Sequence, residues 1–156
     1  KAFNEVCRQK EARLIILGEY NEGEEQYETI KQLVKNFNLE KKVSFPGFMK
    51  NPFSYISNAD CFVLSSKWEG LPGVLIQALA CGTPVVSTDC KSGPSEILKN
   101  GEFGALVPVG DFNALAEKII ETINKQRERE KLIKRAEDFS KDNCLDKYIN
   151  LISDIN

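Results

Sequence analysis

Short apolar runs alternate along the chain with stretches in which apolar residues recur every three or four positions, the pattern of strands separated by amphipathic helices. RLIIL at 13–17 is apolar nearly throughout and too short for a helix, so it predicts a strand. The Glu-rich segment after it carries Ile30, Leu33, Val34 and Phe37 at helical spacing and predicts a helix with those four on one face. Strands are predicted again at 43–45, 61–65 (CFVLS), 84–87 and 105–107, with helices at 52–58, 72–81 and 94–98 between them. Asp111 is placed to cap a helix carrying Leu115, Ile119, Ile120 and Ile123, and two further helical stretches finish the chain. At the other end Phe3, Val6 and Cys7 have helical spacing with no initiator Met or capping residue before them. The chain is therefore expected to begin inside a helix, as a piece of something longer with no signal peptide.

Strands without polar alternation, separated by helices, imply an α/β fold: a Rossmann-like parallel sheet with helices on both faces, formed by residues 1–156 as one domain. Ligands of such sheets bind beyond the carboxyl ends of the strands. That directs attention to the loops at 18–22, 47–51, 66–73 and 88–94.

Composition narrows the chemistry. The 156 residues are 42% apolar and 28% charged, with no apolar run near the ~18 residues of a membrane span. The net charge of -2, with acids and bases interspersed, gives no basic stripe for nucleic acid. Five widely spaced cysteines without a C-x-x-C indicate neither a disulfide framework nor a zinc site, and fit a reducing cytoplasm. Cys61 and Cys81 lie in apolar stretches and read as small buried hydrophobes. There is no histidine, which removes Ser-His-Asp and Cys-His nucleophile pairs and His-based metal sites. No metal is expected.

The densest local signal is SSKWEGLPGVLIQALACGTPVVSTD at 65–89, a strand end, loop, helix and next strand in one stretch. Pro72 suits a first helical turn, where its missing N–H is no loss, and the backbone N–H groups around Gly70 and Gly73 then point outward at a helix N-terminus. Such an end attracts anions, so a diphosphate is a candidate ligand without a lysine-bearing phosphate loop. The alternative is a plain strand-helix connection in which the two glycines serve only the turn.

Taken together, several blocks resemble the C-terminal domain of the group 1 (family 4) glycosyltransferases of GT-B fold. They are the I-I-L-G strand end with its acidic follower (Leu17, Gly18, Glu19), V-x-F-x-G ending at Gly47, and A-D-x-F-V-L-x-S from Ala59 to Ser66. The 65–89 stretch, S-G-P-S-E-I-L from Ser92 and G-x-L-V-P-x-G-D ending at Asp111 complete the set. The resemblance implies a retaining, hexosyl-type enzyme that moves a sugar from a nucleoside diphosphate sugar to a saccharide or lipid-linked acceptor in glycan or polysaccharide synthesis. It implies that Glu69 acts on the donor sugar as its anomeric carbon gains positive charge, a task suited to a carboxylate. Gly70 and Leu71 would offer N–H groups to the phosphates. Gly18, Glu19 and Gly47 would line the strand ends, and Phe48 and Met49 would cradle the base.

Two departures accompany it. Gln77 stands where the family usually has the second signature glutamate, on the ribose; a carboxamide still pairs with a diol but loses charge-assisted strength. Upstream of Lys1 the family has a strand and a loop with an Arg and Lys pair for the diphosphate, and before those an N-terminal acceptor domain; the 156 residues hold neither, so alone they are expected to be inactive. The missing strand is expected between those at 13–17 and 60–64. Lys67 reads as a solvated loop lysine. KQREREKLIKR at 125–135 reads as a solvated helix, with peripheral membrane contact of the longer protein, at the inner face of the membrane, as the alternative. Other readings of the whole chain are a non-catalytic nucleotide-binding module, a GT-B sugar-nucleotide epimerase fragment and a flavodoxin-like receiver. The last is weakest, since Asp60 precedes its strand.

Overall fold

The computed structural model describes residues 1–21 and 23–153. The expected alternation is present: α1 (Ala2–Gln9), β1 (Leu14–Leu17), α2 (Glu25–Asn36), β2 (Val43–Gly47), α3 (Phe53–Asn58), β3 (Phe62–Leu64), α4 (Gly73–Ala80), β4 (Val85–Thr88) and α5 (Pro94–Ile97). A 3₁₀ turn at Lys99–Gly101, β5 (Ala105–Val107), α6 (Phe112–Asn124), α7 (Arg129–Glu137) and α8 (Lys141–Ser153) complete it. Asp111 caps α6 as its position foretold, its carboxylate accepting from the amides of Asn113 and Ala114 at 3.1 and 2.9 Å.

All strand pairs are parallel, and the strands form two sheets, β1 with β2, and β3-β4-β5 with β4 central, separated between β1 and β3 where the missing strand is expected. Among the described residues β1 pairs only with β2 and β3 only with β4, so each keeps one unpaired edge.

The core follows from strand periodicity, because successive side chains leave a strand on opposite faces. Every residue of β4 is buried. Val85 points into a cluster with Leu75, Leu79, Ile97, Leu98 and Leu132, supplied by α4, α5 and α7. Val86 points the other way, onto Val6 of α1, Leu115 and Ala116 of α6, and Val107 of β5. Phe62 and Leu64 join the first cluster and Val63 the second, the same alternation one strand over. Each fully buried Leu or Val contributes about 1.5–3 kcal/mol. Cys61 and Cys81 are half-buried packing residues beside these clusters, while the buried thiol is Cys90.

The smaller sheet is held differently. No side chain of α2 is buried, and of its expected apolar face Ile30 is exposed. The helix is anchored instead by aromatic stacking: Tyr20 and Tyr27 lie 4.5 Å apart and near-parallel, and Phe45 meets both edge-on at 5.9 and 5.7 Å. A groove of about 410 Å³ runs beside this cluster between α2 and β2, and shares no lining residue with the 65–89 stretch.

The 125–135 segment is largely exposed, as its charge pattern suggests, but it is not solvated throughout. Arg127 turns inward: its Nε donates to the Gly82 carbonyl at 2.7 Å, and its Nη2 to the Ser57 and Ala59 carbonyls and to Thr83 Oγ1. Arg135 donates to the Ile97 and Glu96 carbonyls and lies over the rings of Phe103 and Phe139. Leu132 and Ala136 are the buried residues of α7. Local charge balance could not reveal this, because the acceptors come from segments about 40 to 70 residues upstream in the chain. Beyond α7, α8 presents Leu145, Tyr148, Ile149 and Ile152 to solvent, and among the described residues no helix is long and apolar enough to cross a membrane.

The Arg127 bonds make a stability prediction. Arg127→Ala orphans several acceptors, one of them on the fully buried Thr83, and should cost ~2–3 kcal/mol in urea unfolding. Arg127→Lys should recover only part, since an ammonium lacks the planar fork. A loss below ~0.5 kcal/mol would mean that water serves these groups equally well.

Candidate functional site

The 65–89 stretch places its chemistry at the carboxyl ends of β3 and β4. After β3 the chain runs through an irregular loop to Pro72, which is buried and forms the N-cap of α4. The helix opens at Gly73, one residue later than expected: the Pro72 φ of -71° is helical but its ψ of 93° is not. Leu75 N–H closes the first turn onto the Pro72 carbonyl. Among the described residues, the N–H groups of Gly70, Leu71, Gly73 and Val74 have no acceptor, leaving a row of free donors at the positive end of a helix.

Glu69 sits at the edge of this row in a fixed conformation. Ser66 Oγ donates to its Oε1 at 2.6 Å, leaving Oε2 without a partner among the described residues. Its backbone is held as well, Ser92 Oγ donating to the Glu69 carbonyl at 2.9 Å. Ser66 is in turn secured by Thr88 Oγ1, at the end of β4, which donates to the Ser66 carbonyl at 2.6 Å. The 92–93 turn is strained to reach the loop: Ser92 has φ 138° and Gly93 φ 84°. A Cβ on Gly93 would run into the Gly70 carbonyl and the Pro72 ring, so only glycine allows this approach. These supports, Ser66, Thr88, Ser92 and Gly93, received no role from the sequence; hydroxyls at the ends of consecutive strands were the available signal.

The other candidates fall into place around two strand ends. Gly18 N–H donates to the Gly47 carbonyl at 3.3 Å, which brings Gly18 and Glu19 beside Gly47, Phe48 and Met49. Phe48 is 72% exposed. Of the loop expected to run on from there, Glu22 lies outside the described residues. Gln77 is exposed on α4, four residues after Gly73, on the face opposite the buried Leu75, Ala78 and Leu79. No hydrogen bond links the Gly18–Phe48 group to the Glu69 loop among the described residues. Lys67 and Leu71 are exposed. Burial pushes the Cys61 thiol up to about 12, so it carries no thiolate near neutral pH. Among the described residues there is no group of three or more His, Cys, Asp or Glu that could hold a metal ion.

Comparison with known proteins follows the same lines. The profile of the family described as "Glycosyl transferases group 1" matches residues 1–139. An uncharacterised glycosyltransferase of Methanocaldococcus jannaschii is 48% identical over 87 residues, which are 56% of this chain and 20% of that protein. The N-acetylgalactosamine-N,N'-diacetylbacillosaminyl-diphospho-undecaprenol 4-alpha-N-acetylgalactosaminyltransferase of Campylobacter jejuni is 42% identical over 103 residues, 66% of this chain and 27% of that one. The matched segments thus make up only about a quarter of the length of these relatives. A variant of TarM from Staphylococcus aureus, crystallised with fondaparinux, alpha-GlcNAc-glycerol and UDP, superposes with a TM-score of 0.82 at 26% identity, covering 96% of this chain and 31% of that one. With nearly nine-tenths of its length matched by the family profile and the Rossmann-like half of a GT-B fold, this chain belongs to the group 1 glycosyltransferases.

Proposed function

We propose that the chain is the donor-binding domain of a retaining, hexosyl-type glycosyltransferase acting in glycan or polysaccharide synthesis. It would bind a nucleoside diphosphate sugar and act with an acceptor-binding domain on a saccharide or lipid-linked acceptor, in the cytoplasm, with the inner face of the membrane as the alternative site. The observation that carries this reading is the juxtaposition at α4: a carboxylate pinned by Ser66, next to a row of unpaired N–H groups. The N–H groups of Gly70, Leu71 and Gly73 suit a diphosphate, whose negative charge grows as the sugar leaves. The Glu69 carboxylate suits the sugar, accepting from its hydroxyls and opposing the positive charge that develops at the anomeric carbon. Gln77 would pair with the ribose, and Phe48 and Met49 would hold the base. The unpaired edges of β1 and β3 are where a further strand would join the two sheets.

Calorimetric titration of the intact protein with nucleoside diphosphates and their sugars tests the binding reading, with UDP the first probe because TarM was crystallised with it. Glu69→Gln should lower turnover about a hundredfold or more while nucleotide affinity changes little, since the charge acts on the sugar in the transition state. Equal losses in both would contradict that role. NMR of the first turnover should show a product with the donor's anomeric configuration; inversion would sink the retaining assignment.

Gln77 gives the sharpest test of the ribose assignment. Gln77→Glu should tighten nucleoside diphosphate binding a few-fold, because a neutral bond worth ~0.5–1.5 kcal/mol becomes a charged one worth ~1.5–3, partly offset by repulsion from the diphosphate. Gln77→Ala should weaken it. Unchanged affinity in Gln77→Ala would leave Gln77 as no more than the polar face of a helix.

A further inference from the structure

We propose that Trp68 is the stacking platform for a pyranose ring at the mouth of the site, an inference that rests on the donor-binding reading above. Trp68 is the only tryptophan in the sequence. At 81% exposure it is the most solvent-accessible of the large apolar side chains among the described residues. An indole offers about 150–250 Å² of contact surface, so what covers it contributes substantially to binding.

The exposure is imposed by an ordered loop. Ser66, two residues before the tryptophan, is held by Thr88, and Glu69, immediately after it, is held through its carboxylate by Ser66 and through its carbonyl by Ser92. Both ends of the Lys67-Trp68 pair are therefore anchored to the core through β4. Among the described residues no ring contact or hydrogen bond engages the indole. An aromatic face presented from a fixed base binds without first losing conformational freedom.

The residues that follow the indole in the chain indicate the chemistry of its surroundings. Glu69, Gly70 and Leu71 come directly after it, with Glu69 Oε2 and the Gly70 and Leu71 N–H groups unpaired among the described residues. An apolar face flanked by a charged acceptor and by donors matches a pyranose, which has a C–H face and a rim of hydroxyls. A protein partner would favour an apolar patch depleted of charge at its centre, and a charged residue on either side of Trp68 in the chain, Lys67 and Glu69, argues against that. The pyranose could be the sugar of the nucleotide donor or the sugar of the acceptor.

Titrating the intact protein with UDP, with UDP-glucose and UDP-N-acetylglucosamine, and with UDP plus a panel of mono- and disaccharides separates these sources. The difference in emission between the parent and Trp68→Phe isolates the Trp68 signal, and acrylamide quenching reads its coverage. Coverage by the UDP-sugars but not by UDP assigns the donor sugar; coverage only when saccharide is added over UDP assigns the acceptor. Trp68→Ala should weaken the responsible ligand roughly three- to tenfold, leave UDP affinity unchanged and keep the parent's thermal midpoint, while Trp68→Phe retains most of the affinity. If UDP binds but no sugar changes the quenching, and Trp68→Ala binds every sugar as the parent does, the platform is wrong and the nucleotide reading stands. Coverage by UDP alone would give the ring to the base and overturn the proposal. A protein that binds no nucleotide overturns the donor reading, and the platform with it.

Discussion

Thr88 ends the one strand that is buried along its whole length, and its hydroxyl donates to the carbonyl of Ser66 across the top of the sheet. That bond joins the best-packed part of the molecule to the Glu69 loop. β4 cannot shift, because Val85 and Val86 are locked into clusters on opposite faces. Its end is thus a rigid reference point. Ser66 is positioned from it, Glu69 from Ser66, and the Glu69 backbone a second time from Ser92, on the loop that leaves the same strand. The carboxylate inherits the precision of the core through two short hydrogen bonds rather than through burial of its own.

The same economy of contacts explains the glycines and the strained serine. Gly93 must pass close to Gly70 and Pro72 to bring Ser92 within reach, and Ser92 accepts an unfavourable φ to do so. Residues that look like turn punctuation in the sequence thus support the Glu69 loop.

The C-terminal helices are attached by a different principle. Arg127 and Arg135 each satisfy backbone carbonyls at the ends of other elements, the ends of α3 and α4 for Arg127 and of α5 for Arg135. Helix and loop termini carry unpaired carbonyls by construction, and a guanidinium with several donors in one plane satisfies them in groups. A segment that reads as a charged surface helix is thereby a clasp over the α3-α4 side of the domain, with Leu132 and Ala136 packed beneath it.

What the sequence determined by itself was everything that depends on near neighbours along the chain. Hydrophobic periodicity located the strands and the helices between them to within a residue or two. Asp111 declared its helix, and Gly70 and Pro72 marked the open N-terminus of α4. The ordered motif blocks named the family, since their spacing is itself a property of the chain. What only the tertiary structure decided was every relation between distant segments: the division of the strands into two sheets, the anchoring of α2 by stacked tyrosines, the inward turn of Arg127 and Arg135, and the support of Glu69 by Ser66, Thr88 and Ser92. The physical reason is one of range. Periodicity and capping act over three or four residues and leave a local signature, whereas a hydroxyl or guanidinium takes whichever acceptor the folded chain brings within about 3 Å, and nothing beside it in the sequence records which acceptor that will be.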